Sequence, residues 1–277
     1  MTAAAAAAAG AGETRAEGGA PPKEKPPEPS PFAYDLHNHS TFSDGQLAPD
    51  GVAAVGKAKG LAVGLADHAL LHGQLRSAAD FAIYYAAADR NGLFRGLEID
   101  LGVPLTWPLR VLEQADYLIG SLHGLELDGR YHPFIEYFNH RLGLQDRYEP
   151  PAAFADRVRF LDAALAAFKK GLDDWPIAIL GHCTLLPVVE REVPPDWAEA
   201  FIKLAVDRGV AIEISGLWRV PREDFLQRAL ELGATFSFGS DGHTRGTVGE
   251  IDYCREMAEK LGLPAGRMYV PKGKRRR

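Results

Sequence analysis

Tyr34-Asp35-Leu36-His37-Asn38-His39-Ser40-Thr41-Phe42-Ser43-Asp44-Gly45 is the stretch on which the reading of the whole chain turns. A short apolar run ends in two histidines one residue apart, and a turn carrying Asp44 follows. In a strand, side chains two positions apart project to the same face. His37 and His39 would then aim their imidazoles into one space. Two neutral imidazoles converging on a point suit a divalent transition metal, and Asp44 can reach back with an oxygen ligand. Taken alone, the pair fits two unrelated histidines on a surface strand equally well, because short motifs match by chance often. A metal reading needs partners elsewhere in the chain.

The 277 residues, 46% of them hydrophobic, are enough for one domain of barrel size or for two smaller ones. The formal charge is −6 and uneven. Residues 1–31 contribute −1, from three basic and four acidic side chains, and the tail 272–277 contributes +5, which leaves −10 on the body. An acidic body suits a site that gathers cations and argues against a broad surface for long nucleic acid. The basic tail reads as a solvated terminus. Two cysteines, Cys183 and Cys254, make no disulfide framework and suit a reducing compartment. No apolar run is long enough to span a bilayer, and the alanine-rich start lacks the basic n-region of a signal peptide. A cytoplasmic protein without a membrane partner is expected.

Residues 1–31 contain no aromatic residue and no Leu, Ile or Val. Such a segment buries too little apolar surface to offset its ordering entropy, so a disordered Ala/Pro-rich tail is expected. One folded domain is expected over 32–271, followed by the basic tail 272–277. Within that domain strands are expected at 32–37, 61–66, 93–99, 116–122, 176–181, 210–214 and 235–239. Helices are expected at 49–59, 73–90, 109–115, 152–170, 196–207, 224–232 and 247–261, and a last short strand at 268–270. The helix over 152–170 rests on Phe154, Val158, Leu161, Leu165 and Phe168, spaced three or four apart. Continuous apolar strands alternating with helices imply a parallel sheet, and seven or eight such units close naturally into a (β/α) barrel. An open doubly wound sheet is the competitor, weakened by the lack of Gly-x-Gly-x-x-Gly after the first strand. Residues 124–151 read as a long irregular insertion, of the kind that forms a lid or a substrate-binding element.

Each predicted strand ends in a residue able to hold a metal. These are His37, His39 and Asp44 after the first, Asp67 and His68 after the second, and Glu98 on the third. His123 ends the fourth, His182 the fifth, Glu213 the sixth, and Asp241 with His243 the seventh. Six of the nine histidines fall at such ends. A barrel gathers those ends on one face, where the active sites of this architecture lie. Any one of these histidines alone reads as a hydrogen-bonded structural residue; chance accounts poorly for all of them together.

With these motifs in order, the sequence resembles the PHP family, the polymerase and histidinol phosphatase domains, over roughly residues 32–270. The resemblance rests on His37-Asn38-His39 with Ser43-Asp44-Gly45, on Asp67-His68, Gly96-Leu97-Glu98-Ile99, Ser121-Leu122-His123, Gly181-His182 and Ser240-Asp241-Gly242-His243. It implies an α/β fold, a distorted (β/α)7 TIM-like barrel, with two or three divalent metals such as zinc, manganese or iron. It also implies how the ligands group: His37, His39, Glu98 and Asp241 for one metal; Glu98, His123 and His182 for a second, with Glu98 bridging; Asp44, His68 and His243 for a third. Asp44 stands where some members have histidine, and Cys183 where members often have proline. Cys183 is expected to be a small buried residue. Glu213 and Asp67 are expected as structural carboxylates, Asp67 holding an imidazole in orientation.

The implied activity is metal-dependent hydrolysis of a small phosphomonoester by a metal-activated hydroxide. His72 is a candidate proton donor to the leaving group and Arg245 a candidate phosphate clamp; Arg219 is a weaker one. His132 and His140 read as lid or surface residues. Residues 96–100 and 116–123, with the insertion, look most like the histidinol-phosphatase branch, whereas Ser43-Asp44-Gly45 looks more like the nucleotide-phosphatase and polymerase-associated branches. Histidinol phosphate is the leading named substrate, and a nucleotide phosphatase or a phosphodiesterase/3′–5′ exonuclease the alternative.

Overall fold

The computed structural model describes residues 29–69, 75–102, 109–189 and 193–272. The expected tail up to residue 28, His72, and the basic tail beyond Lys272 lie outside the described residues. In chain order the strands are β1 (Tyr34–Asp35), β2 (Ala62–Leu65), β3 (Phe94–Asp100), β4 (Tyr117–Ser121), β5 (Gly124–Leu127), β6 (Arg130–Pro133), β7 (Ile179–Leu180), β8 (Ala211–Ser215) and β9 (Phe236–Gly239). The helices are α1 (Pro49–Ala58), α2 (Ala78–Arg90), α3 (Leu109–Leu112), α4 (Ile135–Arg141), α5 (Arg157–Asp174), α6 (Pro195–Arg208), α7 (Glu223–Glu231) and α8 (Asp252–Leu261). All but β5 and β6 form one parallel sheet in the order β1-β2-β3-β4-β7-β8-β9.

That sheet curls until its ends meet. Leu36 N–H donates to Phe238 O (3.0 Å) and His39 N–H to Gly242 O (2.9 Å). The result is a nearly closed (β/α)7 barrel, distorted because β1 and β7 hold only two residues each. The seam is reinforced from within. The buried carboxylate of Asp35 accepts from Ser240 N and Ser240 Oγ (2.8 Å each) and from Gly249 N (3.0 Å).

Two apolar cores follow from this layout. A small one lies inside the barrel and contains Leu36, Ala66, Tyr117, Ile119, Ile179 and Ala211. Tyr117 fills it from one side, with its hydroxyl donating to Leu36 O (2.6 Å). The ring fits because β2 and β3 present glycines to it: a Cβ on Gly64 would come within 1.9 Å of Tyr117 Oη, and one on Gly96 within 2.4 Å of its ring. The larger core lies between the sheet and the helices, where Phe160, Phe168, Phe201, Leu226 and Phe236 are fully buried.

Several expectations are corrected here. Residues 124–151 are not irregular, for they hold the β5-β6 hairpin and α4. The hairpin turns at Asp128-Gly129, both at positive φ (54° and 69°), as a two-residue type I′ turn requires. Val158 does not face the core but is 69% exposed. The buried stripe of α5 is Phe160, Leu161, Ala164, Phe168 and Leu172, after an N-cap at Asp156. The helix expected from 247 begins at Asp252, and 268–270 forms one bridge, Phe236 to Met268, not a strand. Among the described residues no helix is long and apolar enough to cross a membrane.

Asp35→Ala should strip two buried backbone N–H groups of their acceptor at the seam. We expect a loss of about 3 kcal/mol in unfolding free energy, read from urea denaturation of metal-stripped protein.

Candidate metal centre

The C-terminal ends of the seven strands deliver their side chains to one face. Glu98, 1% exposed on β3, sits at the centre. Five imidazoles surround its carboxylate: His68 Nδ1 at 3.0 Å, His182 Nε2 at 3.1 Å, His37 Nε2 at 3.3 Å, His123 Nε2 at 3.4 Å and His39 Nε2 at 3.5 Å. Asp241 lies beside it, 3.1 Å from His39 Nε2 and 3.5 Å from His37 Nε2. Asp44 closes the outer side, 3.3 Å from His39 Nδ1, 3.4 Å from His243 Nε2 and 3.6 Å from His68 Nε2. The sequence-expected donors thus converge in one cluster.

Three groups within it bring their ligand atoms within 4.8 Å of one another: His39, Asp44, His68 and His243; His37, His39 and Asp241; and His68, Glu98 and His123. The grouping differs in detail from the one implied by resemblance. His39 stands with Asp44, His68 and His243, and His68 stands with Glu98 and His123. His37 Nε2, His39 Nε2, Glu98 Oε2 and Asp241 Oδ1 are buried with no hydrogen-bond partner. Buried polar atoms are nearly always satisfied, so facing nitrogen and oxygen atoms left in this state fit divalent cations as their missing partners.

Around the cluster, neighbours fix the orientation of the donors. Glu213 Oε2 lies 2.7 Å from His37 Nδ1, which commits that nitrogen and turns Nε2 inward. Asp67, expected to hold an imidazole, instead accepts from Ser40 N (2.7 Å), Ser40 Oγ (2.8 Å) and Ser43 Oγ (2.6 Å). Ser43 Oγ is 3.3 Å from His39 Nδ1, so Asp67 acts on the imidazole through the loop. Trp218 Nε1–H donates to Asp241 Oδ2 (2.5 Å), a contact that nothing in the sequence around Trp218 signals. His182 and Asp241 are held at φ 26° and 52°, conformations uncommon for non-glycine residues and concentrated at functional sites.

Other candidates lie apart. Arg245 is exposed and does not line the cleft over the cluster. Arg219 Nη2 lies 3.3 Å from Glu256 Oε2, with its guanidinium 4.6 Å from the centre of the Tyr253 ring. His132 packs on Phe154, and His140 Nδ1 faces Gln145 O at 3.0 Å. Cys183 is buried, and burial pushes its thiol pKa up.

A family model described as the PHP domain matches residues 35–216. The chain belongs to the PHP domain family. The match ends after β8, so Asp241 and His243 join the PHP cluster through the fold of the following segment. The chain is similar to a protein of Aeromonas hydrophila subsp. hydrophila named "Probable phosphatase", with 25% identity over 177 residues, 58% of this chain and 68% of the relative. It is also similar to a crystal structure from Bifidobacterium adolescentis provisionally assigned as a metal-dependent phosphoesterase (17% identity, TM-score 0.37, 87% of this chain and 98% of that one). A third relative is an amidohydrolase of Chromobacterium violaceum (18% identity, TM-score 0.36, 86% of this chain and 98% of that one).

Without a cation, protons balance the charge of the PHP cluster. Burial opposes ionisation of Glu98, but His123, His37 and His68 outweigh it and hold the carboxyl well below its ordinary range. Asp241 is lowered in the same way by His37 and His39, against its burial. Burial alone would lower His39, yet Asp241 and Asp44 push it up to about 10. Burial likewise works against His123, which Glu98 raises to about 9. His68 is the opposite case, for burial lowers it to about 4.

A metal must therefore displace protons from His39 and His123. Metal added to chelator-stripped protein at pH about 7.5 should release protons to the buffer, and affinity should fall as pH drops from about 9 to about 6. Calorimetry in buffers of different ionisation enthalpy reads both effects. Glu213→Gln, which weakens the orientation of His37, should lower metal affinity on the order of 10-fold to 100-fold in competition with a chromophoric chelator.

Proposed function

We propose that this PHP protein is a metal-dependent phosphoesterase that hydrolyses a small phosphomonoester. The observation that carries the reading is the Glu98 carboxylate shared among five imidazoles. One carboxylate with donors on several sides is built to bridge cations, and the three groups around it have room for more than one. Divalent ions held there supply a low-pKa water, neutralise non-bridging phosphate oxygens and stabilise a departing alkoxide.

The chain's own residues prepare that chemistry. His37, His39, Glu98 and Asp241 would hold the innermost cation, His123 and His182 with Glu98 the next, and Asp44, His68 and His243 the outermost. Glu213 and Trp218 keep His37 and Asp241 aimed at the cluster. Asp44, 38% exposed, stands at the solvent side, where substrate enters. A monoester presents a terminal dianion that several adjacent cations can neutralise together, which favours it over a diester. The acidic body argues in the same direction against long nucleic acid. Histidinol phosphate is the named monoester with which a substrate panel begins.

Phosphate release from such a panel should require manganese or zinc and stop with chelator. Glu98→Gln should lower kcat at least about 100-fold, with circular dichroism showing a folded protein. Equal turnover by chelated and metal-loaded protein would sink the metal reading, and retained turnover by the variant would remove Glu98 from the bridging role.

A further inference from the structure

Above the cluster lies a cleft of about 480 Å³ with two unlike surfaces. Its floor is the His/Asp/Glu cluster. Its walls are mainly apolar: the six large side chains Tyr131, Ile135, Phe138, Leu142, Leu217 and Trp218 outweigh the uncharged polar Asn139, Thr244 and Thr247. Four of these six come from the 124–151 insertion. The apolar surface begins at the floor itself, since the Phe138 ring centre lies 6.0 Å from that of His123, 6.3 Å from His182 and 5.4 Å from Trp218. It continues to the rim, where Tyr131 is 37%, Ile135 49% and Leu142 43% exposed. Apolar side chains left exposed together around a cleft mark a contact surface for a ligand.

Charge is distributed differently. No lysine or arginine lines the cleft among the described residues. Arg141, on the same helix as Ile135 and Phe138, donates to Tyr137 Oη (3.0 Å) and Trp218 O (3.2 Å) instead. Among the described lining residues the one partly exposed carboxylate, Asp44, already faces three imidazoles. A second phosphate or an ammonium group on the substrate would lose water at these walls with no countercharge in return, which is costly.

From this contrast we propose that the alcohol half of the substrate is apolar, an aryl or branched-alkyl group with no second charge, which packs on Phe138 and Trp218 while its phosphate sits over the cluster. This rests on the phosphomonoester reading above and narrows it, away from histidinol phosphate and nucleoside bisphosphates. The gain from covering a phenyl-sized surface is enough to set selectivity by roughly tenfold or more.

The test compares two unreactive phosphonates on the manganese-loaded protein by calorimetry. Benzylphosphonate should bind about tenfold or more tightly than 2-aminoethylphosphonate, with a negative heat-capacity change from apolar burial. The double variant Ile135→Ser, Leu142→Ser should narrow that ratio by about threefold or more; both side chains are exposed, so the fold is retained. In turnover, benzyl phosphate should exceed phosphoethanolamine and histidinol phosphate in kcat/KM. Equal or reversed preference, in an enzyme that does release phosphate from monoesters, would overturn the apolar assignment and leave the phosphatase reading intact. If neither phosphonate binds and no monoester is hydrolysed, both readings fall together.

Discussion

A buried carboxylate survives only if its charge is answered, and the Glu98 carboxylate is answered by imidazoles from four other strand ends. His37 and His39 follow β1, His68 follows β2, His123 follows β4 and His182 follows β7. Bringing five rings within about 3.5 Å of one carboxylate demands that those strand ends share one face at close quarters. An open sheet spreads its strand ends along a line; a closed barrel draws them into a ring. The closure between β1 and β9 is thus as much a condition of the cluster as the donors themselves.

The seam and the site are also chemically continuous. Asp35 fixes Ser240 through its N–H and its hydroxyl, and the next residue is Asp241, held at positive φ. Asn38, between the two histidines of the first motif, bridges to Gly242 across the same seam and shares Ser240 Oγ through its side chain (3.0 Å). A non-glycine residue in a left-handed conformation costs on the order of 1–3 kcal/mol and persists only where neighbours over-determine it. Here the neighbours are the seam hydrogen bonds on one side and Trp218 on the other. Stability of the barrel and readiness of the cluster are therefore supplied by one set of contacts.

The convergence of these side chains on one face was legible because their signal is joint: apolar runs of strand length, each ending in His, Asp or Glu, repeated seven times. No single motif would have sufficed. The hairpin at Asp128-Gly129 carries its turn signal in plain view, but four-residue strands with exposed, charged Arg130 and Glu126 give too short an alternation to stand out. Val158 misled because it sits at the first turn of α5, one position off the stripe that begins at Phe160. Trp218 and the serine contacts of Asp67 were not legible at all. They are long-range partnerships, 23 residues apart for Trp218 and Asp241 and 24 or more for Asp67 and its serines, and no local period encodes them.

Selectivity and chemistry occupy different parts of the chain. On the proposed monoester reading, the cluster would act on the phosphate whatever alcohol is attached to it. The alcohol would meet the insertion, which hangs directly from the strand end that carries His123: Phe134 N–H donates to His123 O (2.7 Å), and Phe138 packs on the His123 ring. Within α4 the work divides by burial. Phe138, 8% exposed, supports the cluster as well as the cleft, so changing it disturbs both. Ile135 and Leu142, 49% and 43% exposed, stand at the rim and are far less buried. On the proposed reading their substitution would alter what the alcohol touches with little disturbance of the cluster, which makes the rim the part of this barrel where substrate preference would change at least cost to the fold.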